Sequence, residues 1–268
     1  MTSPESAIRV RDAWCVFEHV SGRKVEALRE VDLDIPAGQF VCLVGRSGHG
    51  KSTLLRALGG LNPLTRGEVK VGDHLVAGPS AERGMVFQDD TVFPWMRVRE
   101  NVEFGLRVQG MATEERRNVA RDWLRHVDLL DFEDSWPKEL SGGMRKRVAL
   151  ATVFAGGAPI LLMDEPFGAL DYVTRISLHL LLLDLWRETR RTIVFVTHDI
   201  EEALILADRI LVMSDGRVVD DLAVGLPRPR DEEVRALPEA VGIIKTIMHH
   251  LGLDSLLAKS HQRRVASA

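Results

Sequence analysis

The sequence predicts an α/β fold built on a largely parallel sheet, and three observations carry that expectation. Short runs rich in Val, Ile and Leu alternate with longer helical patterns, the order expected of strands joined by crossover helices. Three of these runs, residues 40–44, 160–163 and 192–197, are apolar on both faces, as strands covered by helices on both sides must be. Each then ends in polar or glycine-rich text: Gly45-Arg46-Ser47-Gly48, Asp164-Glu165 and His198-Asp199. Ligands of open α/β sheets bind beyond the carboxyl ends of strands, so this coincidence points to one shared site.

The remaining elements follow in order. Residues 8–35 alternate and contain the turn signal Ser21-Gly22-Arg23-Lys24, so an antiparallel β layer is expected first. From about 91 to 155 the text becomes mainly helical, with Arg and Glu spread through 113–126. That stretch reads as a helical insertion between strands. Residues 211–213, Asp215-Gly216 and Val218-Val219 predict a late hairpin, since Asp-Gly is a strong two-residue turn. Beyond Leu226-Pro227-Arg228-Pro229-Arg230, residues Val241, Ile244, Ile247, Met248 and Leu251 fall near helical spacing and predict an amphipathic helix. The expected organisation is an α/β domain over 1–225, with about 91–155 inserted in it as a helical subdomain, and a helical tail over 226–268.

Composition removes several classes of function. The 268 residues are 45% apolar and 28% charged, enough to bury a core without disulfide or metal staples. Two cysteines, Cys15 and Cys42, exclude a disulfide framework and a four-cysteine zinc site. Both lie in strand-like text and are expected to be reduced and buried. A net charge of -4 argues against a dedicated nucleic-acid binder. The opening Met1-Thr2-Ser3-Pro4-Glu5 has no basic n-region before an apolar stretch, so no secretory signal is expected. No window approaches the ~20 apolar residues of a membrane helix; the longest candidate, 176–186, carries His179 and Asp184. A soluble, intracellular chain is expected.

Three motifs carry chemistry. Gly45-Arg46-Ser47-Gly48-His49-Gly50-Lys51-Ser52-Thr53 satisfies the phosphate-loop pattern and lies between a strand and a helix pattern, the context it requires. Its glycines let backbone N–H groups turn toward phosphate oxygens, and the helix N-terminus adds partial positive charge. Lys51 would reach the β- and γ-phosphates, and the Ser52 hydroxyl would ligate Mg²⁺. Asp164 at the end of its strand suits a Mg²⁺ partner, and Glu165, one residue on, suits a general base for an attacking water. An Asp-Glu pair after a strand is also common loop text. Leu140-Ser141-Gly142-Gly143-Met144 precedes a helix pattern, with Ser141 placed to cap it and the glycines exposing amides at its positive end. Locally that is either a capped helix start or a second anion site.

The phosphate loop, Gln88, Leu140-Ser-Gly-Gly143, Asp164-Glu165, Ala169-Leu170-Asp171 and His198 occur in the order that resembles the ATP-binding cassette (ABC) ATPases, over about residues 8–225. The resemblance implies the fold of that family: a P-loop core, an antiparallel β layer and a helical subdomain. It implies ATP hydrolysis with Mg²⁺, and a dimer, in the simplest case of two identical chains. In that dimer Ser141, Gly142 and Gly143 of one subunit close on the γ-phosphate held by the other. Gln88 would sense Mg²⁺ and the attacking water, His198 would be the switch histidine, and Asp171 would link the two sites. The adenine-stacking aromatic would be Phe17, with Trp14 as competitor, since an aromatic face suits a base without reading it. The family's signature usually continues with Gln where Met144 stands. His49, where a small residue is usual, is expected to face solvent or the dimer, and His249-His250 to be a solvated pair, since adjacent helical residues point apart.

Within that family, Phe87 to Trp95, Val98-Arg-Glu-Asn101-Val, Leu140 to Val148, Asp164 to Asp171 and Leu226 to Arg230 resemble the ATPases of bacterial importers for nitrate, sulfonate and taurine. The partners so implied are a transmembrane permease and a periplasmic or lipoprotein solute-binding protein, and the place is the cytoplasmic face of the inner membrane. Phe93-Pro94-Trp95 would line a groove that receives a short cytoplasmic helix of the permease. A phosphate-loop kinase would lack Leu-Ser-Gly-Gly and His198. A soluble ABC ATPase of DNA repair or translation would need a long coiled coil or a second cassette.

Overall fold

In the computed structural model, residues 6–18, 22–89 and 92–253 are described. Strands β1 (Ser6–Glu18) and β2 (Lys24–Pro36) pair antiparallel, followed by β3 (Phe40–Gly45), α1 (Lys51–Leu58), β4 (Arg66–Val71), β5 (His74–Leu75) and β6 (Arg83–Val86). Helices α2 (Val98–Val108), α3 (Thr113–His126) and α4 (Gly142–Ala155) form the insertion. Then come β7 (Ile160–Asp164), α5 (Tyr172–Thr189), β8 (Thr192–Thr197), α6 (Ile200–Leu206), β9 (Arg209–Ser214), β10 (Arg217–Ala223) and α7 (Pro238–His250). Thr91, where the helical insertion was expected to begin, and Ser21 of the expected first turn lie outside the described residues; Gly22 has φ +79°.

Two sheets result. One is antiparallel, in the order β2-β1-β4-β5; the other runs β10-β9-β3-β8-β7-β6 and is parallel except for the β9–β10 hairpin. The unbroken apolar text of β3, β7, β8 and β9 has a simple cause. Successive side chains of a strand point to opposite faces. Phe40, Cys42, Leu161, Met163, Ile193 and Phe195 enter one core with the helical insertion, α5 and α6. Val41, Leu43, Ile160, Leu162, Val194 and Val196 enter a second core with α1 and the antiparallel sheet. A strand buried on both faces has no position for a polar residue until it ends. The first polar residues therefore collect at the carboxyl edge, where the site is.

The described part of the tail, residues 226–253, packs on this core. Leu226, Val234, Ala240, Ile247 and Leu251 join the same apolar cluster as β3 and α5. Helix α7 packs on α6, β9 and β10 of its own chain. His250 was expected to be solvated; instead its Nε2 lies 2.9 Å from Asp220 Oδ2 on β10, because packing α7 against that strand turns the ring inward. Among the described residues no helix is long and apolar enough to cross a membrane.

Candidate functional site

The phosphate loop joins β3 to α1 and is shaped by its glycines. Gly50 has φ +93°, and a Cβ there would stand 2.3 Å from the Ala27 carbonyl oxygen. Only glycine suits that position, and it lets the loop lie directly on β2. Lys51 is buried, its Nζ donating to the carbonyls of Gly45 (2.8 Å) and Arg46 (3.1 Å). Burial lowers the Lys51 pKa, while Glu165 and Asp164 act the other way. Arg46, Ser47 and Gly48 are exposed at the rim. His49, expected to face solvent or the dimer, has a half-buried side chain with Nε2 3.9 Å from the exposed Asp215 Oδ1. The β9–β10 hairpin reaches the loop and gives that ring a wall within the chain.

Ser52, in the first turn of α1 beside Thr53, donates from Oγ to Asp164 Oδ1 at 2.7 Å. Asp164 is 3% exposed, and Arg56 NH2 stands 3.7 Å from its other oxygen. A hydroxyl and a carboxylate so placed are hard oxygen donors suited to Mg²⁺, an ion that keeps several waters and substrate oxygens as its remaining ligands. Among the described residues, no group of three or more His, Cys, Asp or Glu is placed to hold a metal ion.

Glu165 has φ +44°, a region that non-glycine residues seldom occupy and that tends to be held at functional sites. The turn is fixed on both sides: Glu165 N donates to Val196 O (3.0 Å), and Gly168 N donates to Glu165 O (3.3 Å). Its carboxylate Oε2 lies 2.8 Å from His198 Nδ1. The ends of β3, β7 and β8 thus bring Lys51, Ser52, Asp164, Glu165 and His198 together.

The other expected site residues lie around this centre. Gln88 is exposed just after β6, and its carbonyl accepts from the buried Lys146 Nζ of α4 (2.9 Å). Ser141 caps α4, its Oγ accepting from Met144 N at 3.3 Å. Gly142 and Gly143 open the same helix. A Cβ at Gly143 would meet Thr174 Cγ2 at 2.5 Å, so the glycine allows α4 to approach α5. Met144, in place of the usual Gln, packs against the main core. Helix α4 packs on α2, α3, α5 and β6, whereas α1, which the phosphate loop opens, packs on β2, β3, β7 and β8.

Asp171 caps α5, accepting from Thr174 N (3.0 Å) and Thr174 Oγ1 (2.6 Å). Its carboxyl is held below the ordinary value by the Thr174 hydroxyl first and the Thr174 amide second. Phe17 is an exposed aromatic on β1 and pairs with Val25, two residues along β2 from the Ala27 carbonyl that underlies Gly50. Trp14 is half-buried and spends its indole N–H on Asp12 Oδ1 (2.8 Å), which leaves Phe17 the better-presented face.

Phe93, Pro94 and Trp95 lie on the irregular segment before α2. Trp95 is 68% exposed, its ring 5.4 Å from that of Phe93, which in turn contacts Phe104 at 4.7 Å. Asn101, 2% exposed, holds this segment from below: Oδ1 accepts from Phe93 N (2.7 Å), and Nδ2 donates to Phe93 O (3.2 Å) and Met96 O (3.1 Å). Nothing in the sequence marks Asn101 or Lys146 for these contacts. Both act on backbone groups that are distant or irregular, and no periodicity marks such a contact in advance.

Comparison with known proteins accords with this geometry. Residues 28–168 match the family model described as ABC transporter. The chain is 48% identical over 228 residues to the nitrate import ATP-binding protein NrtD of Synechocystis sp., covering 84% of this chain and 85% of NrtD. It is 47% identical over 215 residues to the taurine import ATP-binding protein TauB of Burkholderia pseudomallei, covering 79% and 83% respectively. Among solved structures, the dimeric post-hydrolysis state of the ATP-binding cassette MJ0796 with ADP and Pi superposes with a TM-score of 0.73. That match has 33% identity and covers 82% of this chain and all of that one. A P-loop core, an antiparallel layer and a helical insertion, together with these likenesses, establish that the chain belongs to the ABC transporter family of ATPases.

Proposed function

We propose that this protein is the ATP-binding and hydrolysing subunit of a bacterial importer for a small oxyanion of the nitrate, sulfonate or taurine kind. The observation that carries the enzymatic part is the convergence of Lys51, Ser52, Asp164, Glu165 and His198 at the ends of adjacent strands. The phosphate loop, from Gly45 to Thr53, cradles the triphosphate with its amides, and Lys51 turns from the loop carbonyls to the β- and γ-phosphates. Phe17 stacks on the adenine. Ser52, Asp164 and Gln88 would hold Mg²⁺, which would supply positive charge to offset that of the phosphate oxygens.

Glu165 accepts a proton from a water that attacks the γ-phosphorus as the bond to the β–γ bridging oxygen breaks. ADP and phosphate result. His198 Nδ1 orients the carboxylate of Glu165 and leaves its other ring nitrogen for the γ-phosphate. Ser141, Gly142 and Gly143 open α4, whose packing partners differ from those of α1, which supports their acting on the nucleotide of a second copy, with Asp171 at the same interface.

The exposed Trp95, braced by Phe93, supports a permease contact, since large aromatics on surface loops commonly mark partner sites. The importer would then work at the cytoplasmic face of the inner membrane with a permease and a solute-binding protein. The solute class rests on NrtD and TauB. Gene deletion tests it: growth on nitrate, taurine or another sulfonate as sole nitrogen or sulfur source should fail. Normal growth on all of them, with a defect on a sugar or peptide, would overturn the solute class.

A further inference from the structure

Behind the Glu165–His198 pair lies a second histidine that this chemistry does not use. His179 is on α5, 5% exposed, and its Nε2 lies 2.7 Å from Oε1 of Glu202, itself 7% exposed, on α6. The ring of His179 also stands 5.6 Å from that of Phe167, with an interplanar angle of 54°. Phe167 is two residues beyond Glu165, and Glu202 is four beyond His198. One buried side chain therefore touches both segments that carry the pair. One turn nearer the start of α5, Arg175 NH1 stands 3.5 Å from Asp199 Oδ2. Asp199 caps α6 by accepting from Glu201 N (2.9 Å) and Glu202 N (3.2 Å).

Helix α6 has seven residues, too few to hold its place by helix propensity alone. Its N-terminal turn, and with it the backbone of His198, is set by what grips it from outside. A buried polar pair is weak evidence of stability, because an apolar pair of similar volume often serves as well. Specification of geometry is the better-supported use of such a contact.

We infer that His179, through its hydrogen bond to Glu202 and its contact with Phe167, is a positioning residue that fixes the distance between Glu165 and His198 for ATP hydrolysis. This rests on the proposed roles of Glu165 and His198. Because α5 starts at its cap Asp171, the same helix gives any movement of that cap a path to both segments.

The test compares His179→Gln, whose amide can replace Nε2, with the double variant His179→Leu/Glu202→Leu, which removes the pair without orphaning a buried charge. Melting temperature, KM for ATP and kcat are measured on each full-length protein, with Glu165→Gln as control. The expected result is a folded double variant with unchanged KM and kcat at least tenfold lower, and a His179→Gln variant within about threefold of wild type. A double variant with kcat within twofold of wild type overturns the inference. So does one that fails to fold, since the pair would then serve stability, and so does equal loss in His179→Gln. Should Glu165→Gln itself retain hydrolysis, the reading of the site fails first; an inactive control beside a fully active double variant sinks only the role of His179.

Discussion

His198 Nδ1 lies 2.8 Å from Glu165 Oε2, joining the residues that follow two neighbouring parallel strands. A carboxylate so held keeps one oxygen on the ring and the other free to take a proton. Its backbone sits at φ +44°, so the turn as well as the hydrogen bond aims the group. Glu165→Gln should bind ATP normally and lose about 10²–10⁴-fold in turnover, the usual cost of a positioned base. Equilibrium ATP binding and single-turnover hydrolysis check the two halves. Turnover within threefold of wild type would remove Glu165 from the role.

Residues that act as a unit lose activity together rather than in sum. His198→Ala alone should be severely slowed, and adding it to Glu165→Gln should cost little more. A double-mutant cycle on the rate constant for hydrolysis measures this. Fully multiplicative losses would mean that the two side chains act independently.

The Ser52–Asp164 hydrogen bond of 2.7 Å predicts a metal requirement confined to chemistry. Chelation should stop turnover while leaving the melting temperature of the nucleotide-free protein unchanged, because both cores are built of apolar side chains that do not bind metal. Ser52→Ala should raise the Mg²⁺ concentration needed for half-maximal rate. A nucleotide-free melting temperature that falls on chelation would indicate a structural metal instead.

Trp95 and Asn101 separate surface from support. Trp95→Ala removes an exposed ring, so folding and ATP affinity should hold while permease association weakens by ~2 kcal/mol or more, as for a buried interface anchor. Co-purification with the permease and uptake report this, and intact uptake would show that the surface is not the coupling contact. Asn101→Ala removes the internal partner of Phe93 and Met96 and should cost about 1 kcal/mol or more of stability by leaving partly buried backbone groups unpaired. Denaturant unfolding of the isolated subunit measures it.

Gly143→Ala places a methyl group 2.5 Å from Thr174 Cγ2. Thr174 also bonds Asp171, so relieving the clash disturbs the cap of α5. The variant should fold with a lowered melting temperature and reduced turnover, and Gly143→Ala/Thr174→Ser, which deletes the clashing methyl and keeps the hydroxyl, should recover much of both. Absence of recovery would locate the defect elsewhere.

What the sequence determined by itself was the edge of the sheet. A strand buried on both faces must be written in apolar residues until it ends, so residues 40–44, 160–163 and 192–197 marked both the core strands and the polar residues that follow them. The phosphate loop was legible for a related reason: its glycines answer to a local backbone shape, such as the φ of +93° at Gly50, and that shape is encoded in place. The packing of the tail, the inward turn of His250 toward Asp220 and the wall that Asp215 gives His49 were decided only in three dimensions. So were the hold of Asn101 on Phe93 and of Lys146 on Gln88. His179 shows why. In the sequence it is a polar residue interrupting an apolar helix, and only when α5, α6 and the turn after β7 pack together do Glu202 and Phe167 become its neighbours. Periodicity fixes which face of an element is buried, whereas the partner of a buried polar group depends on contacts between elements far apart in the chain.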